Sequence, residues 1–190
     1  MRHAVPALSL VVLAGLSMAW PAKAGGPRLT ARAGDGGFLL RSVMGRPMQG
    51  RFNSVEGRWI AQADGRLRLA IAMPAAEVDM PRHPRYTRML RGADFFDSAR
   101  HPTITFLSDP VEGDWPMHGG LLAGELVIRG VSRRERVRVE AGRCVSPRSA
   151  ACVIHASGKL RRGDFGMRKF RGVVGEHVEF DLRVPMEPMS

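Results

Sequence analysis

The two cysteines carry the most reactive side chains of this chain, and their spacing suggests a crosslink. Cys144 and Cys152 flank a short segment that contains Pro147. In an oxidising compartment this arrangement predicts a disulfide near the end of a β-hairpin. Closing so short a loop stabilises the fold by roughly 2.5 kcal/mol in the chain-entropy treatment. A metal site that used both cysteines and His155 would have no obvious fourth ligand, so we expect no metal.

The other residues that could do acid–base, nucleophilic or metal chemistry are scattered. Asp94 and Asp97 could form an acid–base pair, but their position beside aromatic residues is more typical of helix capping and loop fixation. The sequence has no HExxH, GxSxG, CxxC or Walker-type motif. The later histidines are not paired at ligand spacing; they are His83, His101, His118, His155 and His177. We therefore expect a protein that is not an enzyme and that carries no cofactor.

The N-terminal segment has the features of an export signal. A positively charged start is followed by an apolar run over 5–20 and by Ala22-Lys23-Ala24. The small residues around Lys23 suit signal peptidase and predict cleavage after Ala24. A membrane anchor would need about 20 uninterrupted apolar residues, and prolines bracket a shorter run here. The sequence therefore predicts a signal peptide over 1–24, one domain over 25–190 and a periplasmic location.

The chain is strongly basic, with 29 Lys and Arg against 18 Asp and Glu and a formal net charge of +11. An anionic membrane surface, an anionic lipid headgroup or solubility alone would each account for this charge. Nucleic acid is a poor candidate partner, because the chain has one Tyr and no segment in which cations alternate with aromatics as a stacking platform.

The elements that must position any site are β-strands. Apolar residues alternate with polar ones in Arg66–Met73, Thr103–Leu107 and Leu122–Arg129, and the same pattern recurs over 136–140, 152–160 and 178–184. Gly, Asp and Pro residues separate these runs at short intervals. Many short strands with one apolar face predict an all-β barrel or sandwich. Such a barrel can be filled by side chains or can hold a small ligand, and composition does not decide between the two.

One segment departs from the strand pattern. His83–Arg91 has Pro84 near its start and good helix formers after it, which predicts one short helix. The polar side of that helix carries Arg85, Arg88 and Arg91. The following Asp94–Asp97 segment reads as a loop anchored by two phenylalanines.

Four segments, in order, resemble the YceI-like family of exported, lipocalin-like proteins. The most characteristic is DFFDSARHPTITF over 94–106, with an Asp-Phe-Phe-Asp stretch that leads through Pro-Thr into a strand. The others are GRFNSVEGRW over 50–59, GELVIRGVSRR over 124–134, and RGDFGM over 162–167 with Gly-Glu-His-Val at 175–178. The resemblance covers most of the chain after the predicted signal peptide.

The resemblance implies an extended, antiparallel, lipocalin-like β-barrel of about eight strands with one short helix at its side. It also implies an apolar tunnel for an isoprenoid chain, such as a polyprenyl phosphate or a quinone tail. Arg91 matches a basic position of the family directly before the aspartate–phenylalanine loop, so it is the first candidate to contact a headgroup, followed by Arg88 and Arg85. The family's Asp-Pro-x-His-Ser turn is replaced here by Ala33–Gly37.

The leading hypothesis is a periplasmic protein that binds or carries an isoprenoid or another long apolar lipid. The lipid tail would lie between the inward strand faces, against Phe38, Leu40, Phe52, Leu69, Ile71, Ile104, Phe106, Leu126, Ile128, Phe165, Phe180 and Leu182. Burial of hydrocarbon gains about 25 cal/mol per Å² of apolar surface, and ordering the tail offsets part of that gain.

The alternative hypothesis is a non-enzymatic stress or interaction protein with a filled barrel and a basic outer face. It predicts salt-sensitive binding to an acidic protein or a membrane surface. An outward apolar row with Ala123 and Val127 could make a homodimer contact, and the basic surface could make a transient contact with a membrane.

Overall fold

The computed structural model describes residues 28–31, 36–141 and 152–186, which form one curled antiparallel sheet with two helices. The strands are β1 Arg28–Ala31, β2 Gly36–Ser42, β3 Pro47–Phe52, β4 Val55–Ala61, β5 Leu67–Pro74, β6 Val78–Asp79, β7 Thr103–Ser108, β8 Gly120–Ile128, β9 Val131–Glu140, β10 Cys152–Arg161 and β11 Val174–Met186. The helices are α1 Pro84–Arg91 and α2 Trp115–His118, and 3-10 turns span Ala75–Glu77 and Arg162–Phe165.

The strand order is β1-β4-β5-β7-β8-β9-β10-β11-β2-β3-β6, and β1 also pairs with β11. Three pairs of consecutive segments each form one long strand with an interruption. The pairs are β1 with β2, β3 with β4, and β5 with β6. β1 and β2 both pair with β11. β3 pairs with β2, and β4 pairs with β1. β5 pairs with β4, and β6 pairs with β3. The eleven segments thus correspond to about eight long strands, and the predicted lipocalin-like antiparallel architecture is confirmed.

The inner face of the sheet carries the hydrophobic core. In β8 every second residue from Leu122 to Ile128 is buried, whereas Ala123, Glu125 and Val127 are exposed or half-buried. The same alternation buries Val137 and Val139 in β9. Each buried Leu, Ile, Val or Phe contributes about 1.5–3 kcal/mol by leaving water. The alternation seen in the sequence therefore reports directly which residues face the interior.

Helix α1 begins at the predicted Pro84 and is attached to β6 by two side chains. The hydroxyl of Thr87 donates to Asp79 Oδ1 at 2.9 Å and accepts the Met80 N–H at 2.9 Å. The Nε of Arg91 donates to the Val78 carbonyl at 2.8 Å. Leu90 is buried on the barrel side of the helix. Helix α1 thereby covers one side of the sheet without being part of it.

The one-turn helix α2 was not predicted. Its Trp115 packs against the buried Trp59 of β4, with ring centroids 6.3 Å apart. Four residues are too few for helical periodicity to show in a sequence. Within the described residues, no helix is long and apolar enough to cross a membrane.

Two expectations fall on other parts of the chain. The predicted signal peptide over 1–24 and Cys144 lie outside the described residues. The predicted Cys144–Cys152 disulfide and the cleavage after Ala24 therefore stay predictions.

Candidate apolar binding cavity

An apolar cavity of about 100 Å³ lies inside the curled sheet. Its wall combines side chains from β2, β3, β5 and β7–β11 with Leu90 of α1 and with Phe95 and Phe96 of the following loop. Only two residues in this wall are ionisable, Glu135 and Arg162. Such a wall offers dispersion contacts and almost no hydrogen bonds, which suits hydrocarbon.

Glycines in neighbouring strands leave room for three phenylalanine rings of this wall: Phe38 over Gly50, Phe106 over Gly124 and Phe180 over Gly158. A Cβ added at Gly50 would lie 2.1 Å from the ring of Phe38, its partner across β2 and β3. The same construction at Gly158 places a Cβ 2.5 Å from the ring of Phe180, again its cross-strand partner. Each ring lies flat against the sheet over a residue with no side chain. The cavity exists because these rings are held against the wall rather than across the interior.

The loop after α1 closes one side of the cavity. Phe95 and Phe96 are buried, and their backbone N–H groups donate to the Gly92 and Leu90 carbonyls. The Phe96 ring meets the Phe38 ring edge-on at a centroid distance of 6.5 Å. The two phenylalanines therefore do more than fix a loop, because they form part of the cavity wall. Their burial between two charged residues gives no periodic signal in the sequence.

Eleven of the twelve side chains expected against the lipid tail line this one cavity: Phe38, Leu40, Phe52, Leu69, Ile71, Ile104, Phe106, Leu126, Ile128, Phe180 and Leu182. Phe165 does not. It lies in the 3-10 turn Arg162–Phe165 rather than on a strand, and it is fully buried beside a separate polar cleft with Asp97 and Arg129. Nothing in the residue pattern indicates that the strand ends before Phe165.

The wall also contains residues that were not predicted to line it. Val137, Val139, Ala156, Leu160 and Val178 belong to the alternating rows of β9, β10 and β11, so their inward orientation could have been found from periodicity. Met73, Leu90 and Met167 complete the apolar part.

None of the three candidate headgroup arginines lines the cavity. Arg85 and Arg88 are exposed on α1, and Arg91 is half-buried with its Nε bonded to the Val78 carbonyl. Arg91 therefore attaches α1 to β6. A contact between these arginines and a headgroup would have to take place outside the cavity.

The arginine that does reach the cavity wall is Arg162, which is 2 % exposed. Its Nε donates to the Gly175 carbonyl at 2.9 Å, and its Nη2 donates to the Val174 carbonyl at 3.0 Å. Its Nη1 donates to the carbonyls of Met167 at 2.5 Å and Lys169 at 2.8 Å. Burial lowers the pKa of Arg162 from its ordinary value.

These four bonds occupy four of the five guanidinium N–H groups, and the Nη2 atom also lies 3.6 Å from Glu176 Oε1. Arg162 therefore holds the segment between the 3-10 turn and β11 in place. It is not free to bind a ligand.

The YceI-like domain model matches residues 29–186 of the chain, which is most of its length. The chain belongs to the YceI-like family. No curated protein matches it closely enough to add to this assignment.

Solved YceI-like structures share the fold. BcnA from Burkholderia cenocepacia gives a TM-score of 0.62 at 18% identity, covering 79% of this chain and 95% of that one. A polyisoprenoid-binding domain from Saccharophagus degradans, implicated in plant cell wall breakdown, gives 0.62 at 14% identity, covering 86% and 99%. The Campylobacter jejuni YceI protein gives 0.58 at 17% identity, covering 74% and 85%.

Glu135 is the second ionisable residue in the wall of this YceI-like cavity. It lies on β9 opposite Gly124 of β8, beyond the point where the pairing of β9 with β10 ends at Arg138 and Ser157. Burial raises the pKa of Glu135, and the nearby carboxylate of Asp164 raises it further. A carboxyl in this place disfavours a phosphate inside the barrel.

His155, the histidine nearest to the cysteines in the sequence, lies between two carboxylates on the outer face. Its Nε2 is 2.8 Å from Asp181 Oδ1, and its Nδ1 is 3.1 Å from Glu140 Oε2. Hydrogen bonds to Asp181 and Glu140 raise the pKa of His155. Among the described residues, no group of three or more His, Cys, Asp or Glu could hold a metal ion.

Proposed function

We propose that this YceI-like protein binds the hydrocarbon tail of an isoprenoid-type lipid inside its barrel in the periplasm, and that it does not transform that lipid. The observation that carries the proposal is the apolar cavity, whose wall offers an ionisable group at two positions only. Membership of the YceI-like family and the likeness to a polyisoprenoid-binding domain support the same function.

The size of the cavity sets a condition on this binding. A cavity of about 150 Å³ holds one benzene ring, so the observed 100 Å³ is smaller than even this ligand requires. A long tail therefore has to displace side chains from the wall. The rings of Phe38, Phe106 and Phe180 already lie over glycines of the wall, so the flexible side chains of Met73 and Met167 are the ones that could move aside.

The headgroup would remain outside the barrel. The guanidinium of Arg162 is occupied by backbone carbonyls, and Glu135 would repel an anion at the wall. Arg85 and Arg88 are exposed on α1 next to the loop that closes the cavity. A phosphate headgroup at the helix, or a neutral quinone ring nearer the barrel, is consistent with this distribution of charge.

The test is mass spectrometry of organic extracts from gently purified, periplasmically expressed protein. Wild type would carry a polyprenyl or quinone species near one molecule per chain. Ala156→Leu fills space at the cavity wall, whereas Ala123→Leu makes the same change on the outer face of β8. We expect loss of the lipid from Ala156→Leu alone, with circular dichroism showing that both variants are folded.

An empty wild type, or equal lipid content in both variants, would refute the proposal. The small cavity favours a second candidate in that case, namely a filled barrel that binds an acidic partner through its basic outer face. That function predicts binding that weakens steeply with salt and that is unaffected by Ala156→Leu.

A further inference from the structure

Two neighbouring loops expose large apolar side chains at one end of the barrel. Val43 and Met44, in the turn between β2 and β3, are 59% and 76% exposed. Phe170 and Val173, in the loop before β11, are 41% and 60% exposed. These four make up most of the large hydrophobic side chains that are exposed in the described part of the chain. We call residues 41–46 and 168–173 together the apolar tip.

Backbone hydrogen bonds hold the two loops of the apolar tip together. The Val43 N–H donates to the Val173 carbonyl at 2.9 Å, and β2 pairs with β11 at Ser42 and Val174. The N–H groups of Val173 and Val174 both donate to the Phe170 carbonyl. Phe170 has a φ of 58°, a left-handed conformation that is unfavourable for a bulky residue. The loop is thus built to keep these side chains outward, although apolar groups gain by burial.

The apolar tip is also strongly cationic. Its two segments contain Arg41, Arg46, Arg168, Lys169 and Arg171 and no Asp or Glu. The Lys169 ammonium lies over the Phe170 ring at 5.8 Å, and Arg171 lies 3.3 Å from Glu176 in β11. Exposed apolar side chains surrounded by cations match the chemistry of an anionic bilayer surface, which offers phosphates outside and hydrocarbon beneath.

The apolar tip connects directly to the cavity. The Phe170 ring stacks on the Phe95 ring at a centroid distance of 6.2 Å and an angle of 14°. Phe95 is buried and lines the cavity, as does Met167 just before the loop. A lipid that left a bilayer at the apolar tip would therefore meet a continuous apolar path, from Phe170 past Phe95 into the barrel.

We propose that the apolar tip docks on the surface of an anionic lipid bilayer, with Val43, Met44, Phe170 and Val173 among the headgroups and the cations against phosphates. Docking deepens the proposed lipid-binding function by giving the tail a route of entry. It also accounts for part of the basic charge of the chain.

The experiment is co-sedimentation of the purified protein with vesicles of phosphatidylcholine alone or mixed with phosphatidylglycerol. We expect binding to the anionic vesicles only. Arg168→Gln with Lys169→Gln should weaken that binding about 30-fold, because each basic side chain near an anionic surface contributes several-fold. Val43→Ser with Met44→Ser removes exposed apolar groups and should weaken binding by roughly tenfold or more.

Matched controls place equivalent changes elsewhere on the barrel. Leu121→Ser removes an exposed apolar side chain of β8, and Arg136→Gln with Arg138→Gln removes two exposed cations of β9. Both controls should bind as wild type does. No binding of wild type to anionic vesicles, or an equal loss in the controls, would overturn the docking proposal.

Lipid content in the same variants separates the two proposals. Wild type that retains lipid but does not bind vesicles would refute docking and leave the lipid-binding function standing. Wild type that binds anionic vesicles through the apolar tip but carries no lipid would refute the lipid-binding function and leave docking standing.

Discussion

Replacement of Arg162 by Met tests whether this buried arginine is structural. Its side chain is 2 % exposed and donates to the carbonyls of Met167, Lys169, Val174 and Gly175. Met keeps much of the volume and removes the charge and all four donors. The perturbation therefore acts on hydrogen bonding with a small change in packing.

The expected loss follows from opposing contributions. Each buried carbonyl left without a donor costs about 1–3 kcal/mol, while the guanidinium no longer has to be desolvated, and water can reach part of the loop. Four carbonyls at the low end of that range give about 4 kcal/mol, because the relieved desolvation and the entry of water offset the rest. We expect Arg162→Met to lower the free energy of unfolding by about 4 kcal/mol.

The assay is urea unfolding followed by fluorescence, with linear extrapolation to water. Arg161→Met is the matched control, because Arg161 is the adjacent residue and is exposed; its effect should stay within about 0.5 kcal/mol. Arg162→Lys keeps the charge but cannot reach four carbonyls, so it should retain most of the loss. A loss below about 1 kcal/mol for Arg162→Met, or an equal loss for Arg161→Met, would refute the structural role.

Three further predictions concern the wall and the titrating groups. Gly50→Ala should push the Phe38 ring into the cavity, destabilise the fold by about 1–3 kcal/mol and lower the lipid content. Gly172→Ala is the control, because an added Cβ there would meet nothing within 4 Å, and it should have none of these effects. Burial raises the pKa of Glu135, so ionisation of this side chain destabilises the fold as pH rises above about 4.5. Glu135→Gln should therefore increase the free energy of unfolding at neutral pH. Denaturation curves that show a larger increase in acid would contradict this prediction. The neighbouring carboxylates raise the pKa of His155, so His155→Gln should lose stability at about pH 5.5 and not at about pH 9, and equal losses at both would argue against the ion pairs.

The sequence by itself determined the class of fold. Alternation such as Leu122, Leu126 and Ile128 identifies an inward row, because successive side chains of a strand point to opposite faces. Pro84 fixed the start of α1, because proline at a first helical position has no N–H to lose. The order of the family motifs then gave the lipocalin-like arrangement. All of these signals are local or depend only on order along the chain.

Only the tertiary structure decided which residues reach the cavity and which hold its wall. Phe165 does not line the cavity, because it lies in a 3-10 turn rather than on a strand. An arginine at position 162 would ordinarily be expected at the surface. It is buried here because it donates hydrogen bonds to backbone carbonyls that lie 5 to 13 residues later in the chain. The apolar tip joins Val43 to Val173 through one backbone hydrogen bond. Turns and contacts between different segments set these features, and periodicity within one strand carries no information about either.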